Sequence, residues 1–347
     1  MSPRISVIIP IYNCEPYIEE CLGSLMKQTF DDFEAICVDD ASTDRSLAKA
    51  RATVSGDARF AFFELRENKG QSAARNLALD HAEGRIIVFL DSDDCLTPDA
   101  LELIATRFIE QNLDDLYFNA KTIYEDAGAY KMLVEDFSGR CPFPDVATGM
   151  ELFTFFESKG QFYPHGALRA VSSELLRANR IRFEEGMIHE DLLFTFQTLV
   201  ASRRSSFLHE QIYLRRIRSG STMGTKRRSL RNIEGHLVSI RWMKNWMLLN
   251  ADDLDAEFVE AMAHRLNEYS LLCSEDYLLD VTAEEKAAYK SQLTPAELVE
   301  FELEVAQRSR VYQGLVESPT FRAGQAVMAL PKAMRDKALE LKRRYKD

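Results

Sequence analysis

The sequence predicts an α/β protein, a doubly wound and mostly parallel sheet followed by a helical extension. Three observations carry that expectation. Short Val/Ile/Phe-rich runs start about 25 to 30 residues apart through the first 120 residues, which is the repeat of β-α units. Amphipathic helical patterns fill the intervals between them. Beyond residue 225 the strand-like runs stop, while helical patterns continue to the end.

Taken in order, the first strand is "ISVII" (5–9), followed by "EPYIEECLGSLMKQ", which sets Ile18, Cys21, Leu22, Leu25 and Met26 on one helix face. Strands two and three are "FEAICV" (33–38) and "RFAFFEL" (59–65). The Ala-rich "QSAARNLALDHAEG" reads as a helix closed by Gly84 as its C-cap. Strand four, "RIIVFL" (85–90), leads into "TPDALELIATRFIEQN", with Thr97 as N-cap and Pro98 at the first helical position. "DLYF" (115–118) is the fifth strand. From 121 to 148 the pattern dissolves into an excursion or flap. Helices return near 149–158, 172–179 and 189–202, and a strand-like alternation spans 205–218. The boundary falls near 225, dividing the chain into 1–225 and a helical region, 226–347.

Composition narrows the function. With 46% hydrophobic and 28% charged residues the 347-residue chain is an ordinary globular protein. Its net charge of −12 argues against broad nucleic-acid binding. Six cysteines without a CxxC pair read as reduced core residues of a cytoplasmic protein. The N-terminus enters a strand at once and lacks the form of a signal peptide, and no apolar run is long enough to cross a bilayer.

In open α/β sheets ligands sit beyond the carboxyl ends of the strands. Here all four early strands end in polar clusters: "PIYN" (10–13), "VDDASTD" (38–44), "RENKG" (66–70) and "DSDD" (91–94). One such cluster would be a solvated loop with a helix cap; four on one edge predict a binding crevice. No GxGxxG follows strand one and no GxxxxGK[ST] occurs, which disfavours a dinucleotide fold or a Walker site. The crevice offers carboxylates instead. Two unit charges about 4 Å apart repel by roughly 4 kcal/mol at an effective dielectric of 20. A divalent cation, Mn²⁺ or Mg²⁺, relieves that cost and bridges the carboxylates to a diphosphate. The combination points to a nucleoside diphosphate sugar donor.

"ISVIIPIYN", "VDDASTD", "NKGQSAARN" and "FLDSDD", in this order and spacing, resemble the family 2 glycosyltransferases, inverting enzymes of the GT-A fold. The resemblance is close over roughly the first 110 residues. It resumes at "HEDLLF" and at "YLRRIRSGSTM". It implies a catalytic domain over 1–225, with 1–110 as the nucleotide-binding half and 111–225 as the acceptor and catalytic-base half. It further implies that Tyr12, with Pro10 beside it, packs on the nucleotide base, that Asp40 accepts from the base, and that Asp39 supports the loop. Asp91 and Asp93 would form the metal-binding pair, Asp93 as direct ligand and Asp91 nearer the ribose, with Ser92 facing the donor and Asp94 behind them. Arg75 would face the nucleotide. By spacing alone Glu190 and Asp191 are helix-capping residues whose carboxylates the helix dipole keeps ionised. The resemblance makes Asp191 the catalytic base, with Glu190 a lesser candidate. The function implied is transfer of a hexose, from a UDP-sugar, to a saccharide or glycolipid acceptor in cell-surface polysaccharide synthesis.

The strip Arg215, Arg216 and Arg218 beside "SGST" fits a mobile diphosphate clamp, against a solvated edge as the plain alternative. His165 is either an acceptor contact or a hydrogen-bonded structural histidine. Trp242 and Trp246 stand at i, i+4 as core or interface residues. Residues 331–347 carry seven basic against three acidic residues, the pattern of an amphipathic helix on the inner face of the cell membrane or of a plain packing helix. Two other functions fit parts of the chain. "FLDSDDCLT" resembles the DxDx[TV] phosphatase pattern, but Cys95 stands at the fifth position and the motif sits on strand four. A non-catalytic nucleotide-sugar-binding module would need no base.

Overall fold

The apolar runs become strands because they are buried on both faces, as parallel strands must be. In the computed structural model, which describes residues 3–125, 139–141, 143, 146–217, 229–306 and 308–309, the first four strands are β1 (Ile5–Ile11), β2 (Phe33–Asp39), β3 (Phe60–Glu64) and β4 (Ile86–Phe89). They pair in parallel, β1 standing between β2 and β4 and β3 lying outside β2. The β3 side chains are half-buried, as an edge position allows. Two strands follow at the other end of the sheet, β5 (Cys95–Leu96) and β6 (Asp115–Tyr124), and then β7 (Arg169–Ser172) and β8 (Ser205–Ile217). The eight-stranded order is β3-β2-β1-β4-β7-β6-β8-β5. β7 runs antiparallel to β4 and β6, β8 runs parallel to β6, and β5 runs antiparallel to β8. The sheet is therefore mixed, parallel throughout its first four strands.

Helices α1 (Ile18–Met26), α2 (Ser46–Thr53) and α3 (Gln71–His81) connect the early strands, and α4 (Ala100–Glu110) follows β5. α1 buries Ile18, Cys21, Leu22 and Leu25, but Met26, expected on the same face, is 41% exposed. α3 stops at His81, three residues before Gly84. Gly84 is needed for close approach instead: a Cβ there would lie 2.5 Å from the Ser6 backbone nitrogen. α4 begins after Asp99, with Thr97 Oγ1 donating to the Asp99 carboxylate, so the expected cap lies two residues early. α5 (Gly149–Ser158), with a Thr148–Glu151 capping box, α6 (Ser173–Ala178) and α7 (Glu190–Ala201) complete this part. The strand expected over 115–118 extends to Tyr124, into the segment expected to be irregular. A buried Arg169–Asp115 ion pair joins β7 to β6, with Nε 3.2 Å from Oδ1 and the guanidinium over Tyr117.

The chain forms two compact units, Met1–Thr225 with Trp242–Ala263, and Lys226–Arg241 with His264–Asp347. The helices here are α8 (Leu230–Leu249), α9 (Ala256–Leu279), α10 (Ala283–Gln292) and α11 (Pro295–Phe301), ending in a π-helical stretch, Glu302–Ala306. In the first unit Phe258 meets both Trp246 and Phe153 edge-on, and Trp242 and Trp246 are half-buried. In the second, Tyr277 and Tyr289 meet Phe301, and Ser274 and Ser309 bond to the Val305 carbonyl. The cysteines are free thiols, five of the six buried. Among the described residues no helix is long and apolar enough to cross a membrane. Arg218 and the basic stretch 331–347 lie outside the described residues.

Candidate active site

The strand order switches at β1, with β2 on one side and β4 on the other and all three parallel, so the loops beyond their carboxyl ends border a crevice. Three non-glycine residues at positive φ lie on its border: Asn13, Ala41 and His189. Such backbone costs of order 1–3 kcal/mol each and collects where geometry is constrained by function. The ends of β1 and β2 are knitted directly. Asp40 N donates to the Ile11 carbonyl, and Asn13 Oδ1 accepts from Thr43 N at 2.8 Å. Tyr12 projects from this corner 47% exposed, beside half-buried Pro10.

Asp39 ends β2 and Asp40 follows it, and it is Asp40 that supports the neighbouring loop. Asp40 is only 2% exposed, and its two oxygens accept from Lys69 N at 2.7 Å and Gly70 N at 2.8 Å. It anchors the loop that opens α3. Asp39 accepts from Ser42 N through Oδ2, while its buried Oδ1 has no hydrogen-bond partner. A buried acceptor left open in this way calls for a donor.

At the end of β4, Asp91 is 27% exposed and Oδ1 receives Arg75 Nη2 at 2.8 Å. Burial alone would raise the Asp91 pKa, but the charge of Arg75, aided by its hydrogen bond, holds it below the ordinary carboxylate value. Ser92 is half-buried and bonds to the Cys14 side chain. Asp93 is half-buried at the turn. Asp94 is buried and faces away from the crevice toward β8, where it accepts from Arg216 N at 2.6 Å and from the Tyr213 hydroxyl. Burial, then the charges of Asp91 and Asp93, push its pKa well up. The pairing of β5 with β8, Cys95 opposite Leu214, is what brings the arginine strip alongside this turn.

Arg216 is engaged there by three groups. Its Nε donates to the Asp93 carbonyl at 3.0 Å, Nη2 meets Glu20 at 2.5 Å, and the guanidinium lies over the Tyr17 ring. Arg215, one residue earlier on the other face of the strand, is buried and acts electrostatically on Asp91 and His165.

The opposite side of the crevice is set by α7. His189 at φ +66 starts the helix in left-handed backbone. Glu190 is buried, and its Oε1 accepts from Arg75 Nη1 at 3.1 Å and from Gln71 Nε2. Asp191 is half-buried, packed beside Gly166, where an added Cβ would lie 3.5 Å from its own. Burial first, then the neighbouring Glu190 charge, raise the Asp191 pKa to about 7. The helix dipole, worth at most about 2 kcal/mol, is outweighed, so the expectation of a carboxylate held firmly ionised is corrected. His165 accepts Ala167 N at Nδ1; burial and then the Arg215 charge push it down to about 3, so it is neutral. It is hydrogen-bonded, as the plainer expectation had it, yet also faces Asp91 and Arg215.

Arg75, Asp91, Glu190, Asp191 and His165 therefore gather in one place, whereas Asp40, Asp94 and Arg216 hold its frame. Gln71, Phe183 and Tyr213 escaped the sequence reading. Phe183, stacked on Phe194 with centroids 4.0 Å apart, supports the Arg75 guanidinium at 5.0 Å. No motif announces an aromatic that acts by its face. For a metal, Asp91 and Asp93 supply hard oxygens suited to Mn²⁺ or Mg²⁺. Among the described residues no group of three His, Cys, Asp or Glu side chains is assembled to hold an ion unaided. Asp91 and Asp93 are the residues that would hold such an ion, which would supply positive charge beside a diphosphate.

The crevice thus sets carboxylates at the end of β4 near a second acidic pair at the start of α7. The profile described as Glycosyl transferase family 2 matches residues 6–173. Glycosyltransferase GlyG of Streptococcus pneumoniae is 30% identical over 230 residues, covering 65% of this chain and 75% of that one. GlyA of the same organism is 28% identical over 284 residues, 81% of this chain and 36% of GlyA, so the chain spans about a third of that relative. The poly(ribitol-phosphate) beta-N-acetylglucosaminyltransferase TarS of Staphylococcus aureus is 33% identical over 221 residues, 60% of this chain and 35% of TarS. The crystal structure of TarS 1-349 in complex with UDP-GlcNAc superposes with a TM-score of 0.70 at 26% identity, covering 93% of this chain and 92% of that one. The chain belongs to glycosyltransferase family 2. It is a glycosyltransferase of the GT-A fold with a helical C-terminal region.

Proposed function

We propose that the protein is a metal-dependent, inverting enzyme that transfers a hexose from a UDP-sugar to a saccharide or glycolipid acceptor of a cell-surface polysaccharide. The observation that carries this reading is the meeting of two acidic groups from opposite sides of one crevice, Asp91 and Asp93 at the end of β4 and Asp191 at the start of α7. The polymer acceptor is supported by the names of relatives, which include two poly(ribitol-phosphate) transferases. The base uracil is supported by the TarS complexes with UDP and UDP-GlcNAc. Residues 1–110 form the nucleotide half in this reading, 111–225 the acceptor half, and 226–347 the helical region.

In the donor half Tyr12 stacks on the base and Asp39, through its open Oδ1, accepts from a base N–H. Asp93, assisted by Asp91, holds the divalent ion, which when bound offsets charge on the departing diphosphate. Arg215 supplies positive charge beside it. In the acceptor half, Asp191 removes the proton of the acceptor hydroxyl as that oxygen bonds to the anomeric carbon and the bond to the diphosphate oxygen breaks. A base with pKa near 7 suits proton transfer at neutral pH.

A thermal-shift screen of nucleotide sugars with and without Mn²⁺ tests the assignment, because a ligand at a hundred times its Kd stabilises the fold by about 2.7 kcal/mol. UDP-sugars with Mn²⁺ are expected to raise Tm most. A flat response to all nucleotide sugars contradicts the reading.

A further inference from the structure

We infer that Glu190 is a positioning residue of the donor site, acting through buried Arg75 on Asp91, and not a reserve base. The inference rests on the functional reading above and deepens it. Three segments far apart in the chain meet at one guanidinium. Arg75 of α3 is 3% exposed, with Nη2 on Asp91 Oδ1 at 2.8 Å and Nη1 on Glu190 Oε1 at 3.1 Å. Gln71, one helical turn earlier, donates to the same Glu190 oxygen. The ring of Phe183 closes one face of the guanidinium at 5.0 Å.

A planar guanidinium held at one end alone can rotate about that contact; held at both ends and stacked on a ring, it has one orientation. Glu190 thereby sets which oxygen of Asp91 is taken, and leaves Oδ2 for a ligand. A general base needs the opposite setting, an oxygen open to the substrate. Glu190 is 4% exposed and its Oε1 already accepts two donors, whereas adjacent Asp191 is half-buried and borders Gly166. The acidic pair thus divides its labour across one peptide bond: Glu190 turns toward the donor half and Asp191 toward the acceptor half.

The test is a double-mutant cycle on the full chain, with UDP plus Mn²⁺ as the probe in isothermal titration. Glu190→Gln keeps the side-chain volume and removes the charge; it is expected to weaken UDP–Mn²⁺ binding about tenfold, the loss expected for one charge-assisted hydrogen bond. Asp91→Asn is expected to weaken it at least as much. The double variant should lose less than the product of the two losses, because both act through Arg75. In turnover, the donor KM of Glu190→Gln should rise by a larger factor than kcat falls. Losses that multiply overturn the inference, as does parental binding with a kcat loss matching that of Asp191→Asn. Should Glu190→Gln fail to fold, exposed Gln71→Ala removes one donor to the same oxygen and is expected to weaken binding about two- to threefold; unchanged binding then overturns the inference. A parent protein that binds no nucleoside diphosphate removes the functional reading itself, a result distinct from every outcome above.

Discussion

At the ends of β1 and β2 the polar groups are knitted to adjoining strand ends, whereas around Asp191 nearly every partner arrives from a distant segment. Ile11 meets Asp40, and Asn13 meets Thr43. On the other side Arg75 reaches Glu190 across 115 positions, and Gln71 reaches it across 119. The donor corner is a consequence of parallel strands ending together. The corner around Asp191 lies on α7, which packs with α5 and α6 beyond the parallel part of the sheet. The difference teaches that residues on the base side are tuned by neighbours rather than by motif, and that substitutions there should separate binding from turnover.

The largest expected effect is on turnover. Asp191→Asn should lower it by about 10² to 10⁴, the usual contribution of a general base, while nucleotide binding measured by titration stays within a fewfold of the parent. Equal turnover in variant and parent would remove Asp191 from the mechanism.

Next in size is a stability effect at the frame of the base side. Asp115→Asn leaves Arg169 buried without its counter-charge, at a cost of about 3–5 kcal/mol. Urea denaturation at pH 7 reads this directly; a midpoint equal to the parent's would show that the pair contributes nothing there.

The pH dependence follows from Asp191. A base must be deprotonated, so kcat should fall about tenfold per pH unit below about 7 and level off above it. The linked stability has the opposite sign. Because the folded pKa is raised above the usual Asp value of 3.8, stabilisation by the protonated group is fully present below pH 4. It is lost as pH rises through about 7. Asp191→Asn is accordingly expected to melt higher than the parent at pH 8 and nearly alike at pH 4. A kcat profile flat from pH 5.5 to 8 would contradict both statements.

The smallest effect belongs to the Arg216 latch. Glu20 is mostly exposed, so Glu20→Gln should cost no more than about 1 kcal/mol in stability. A large loss of Mn²⁺-supported nucleotide binding in that variant would mean that the latch, and not the Asp91–Asp94 turn alone, sets the donor site.

Much of the donor half is legible in sequence because its residues sit at strand ends, where burial alternation stops and polar clusters begin. Tyr12, Asp39, Asp91 and Asp93 stand at such strand ends. Telling Asp39 from Asp40 is beyond such reading, since adjacent carboxylates differ only in which one the Lys69–Gly70 amides reach. The same holds for Asp94 and Arg216, whose side chains turn toward each other's segments through the β5–β8 pairing. The helix starts and stops at Asp99 and His81 were missed by a few residues because capping is decided locally, by a Thr97–Asp99 hydrogen bond and by the packing of Gly84 on Ser6. The Asp191 pKa was misjudged from its helix position, because burial beside Glu190 exceeds the dipole.

The most direct measurement is titration of UDP-GlcNAc into the parent and into Asp93→Ala, each with Mn²⁺ and again in excess chelator. The account predicts Mn²⁺-dependent binding by the parent, weakened on the order of a hundredfold by chelation, since a bridging ion contributes several kcal/mol. It predicts that Asp93→Ala binds weakly and equally in both conditions. Binding by both proteins that is tight and indifferent to the chelator would contradict it.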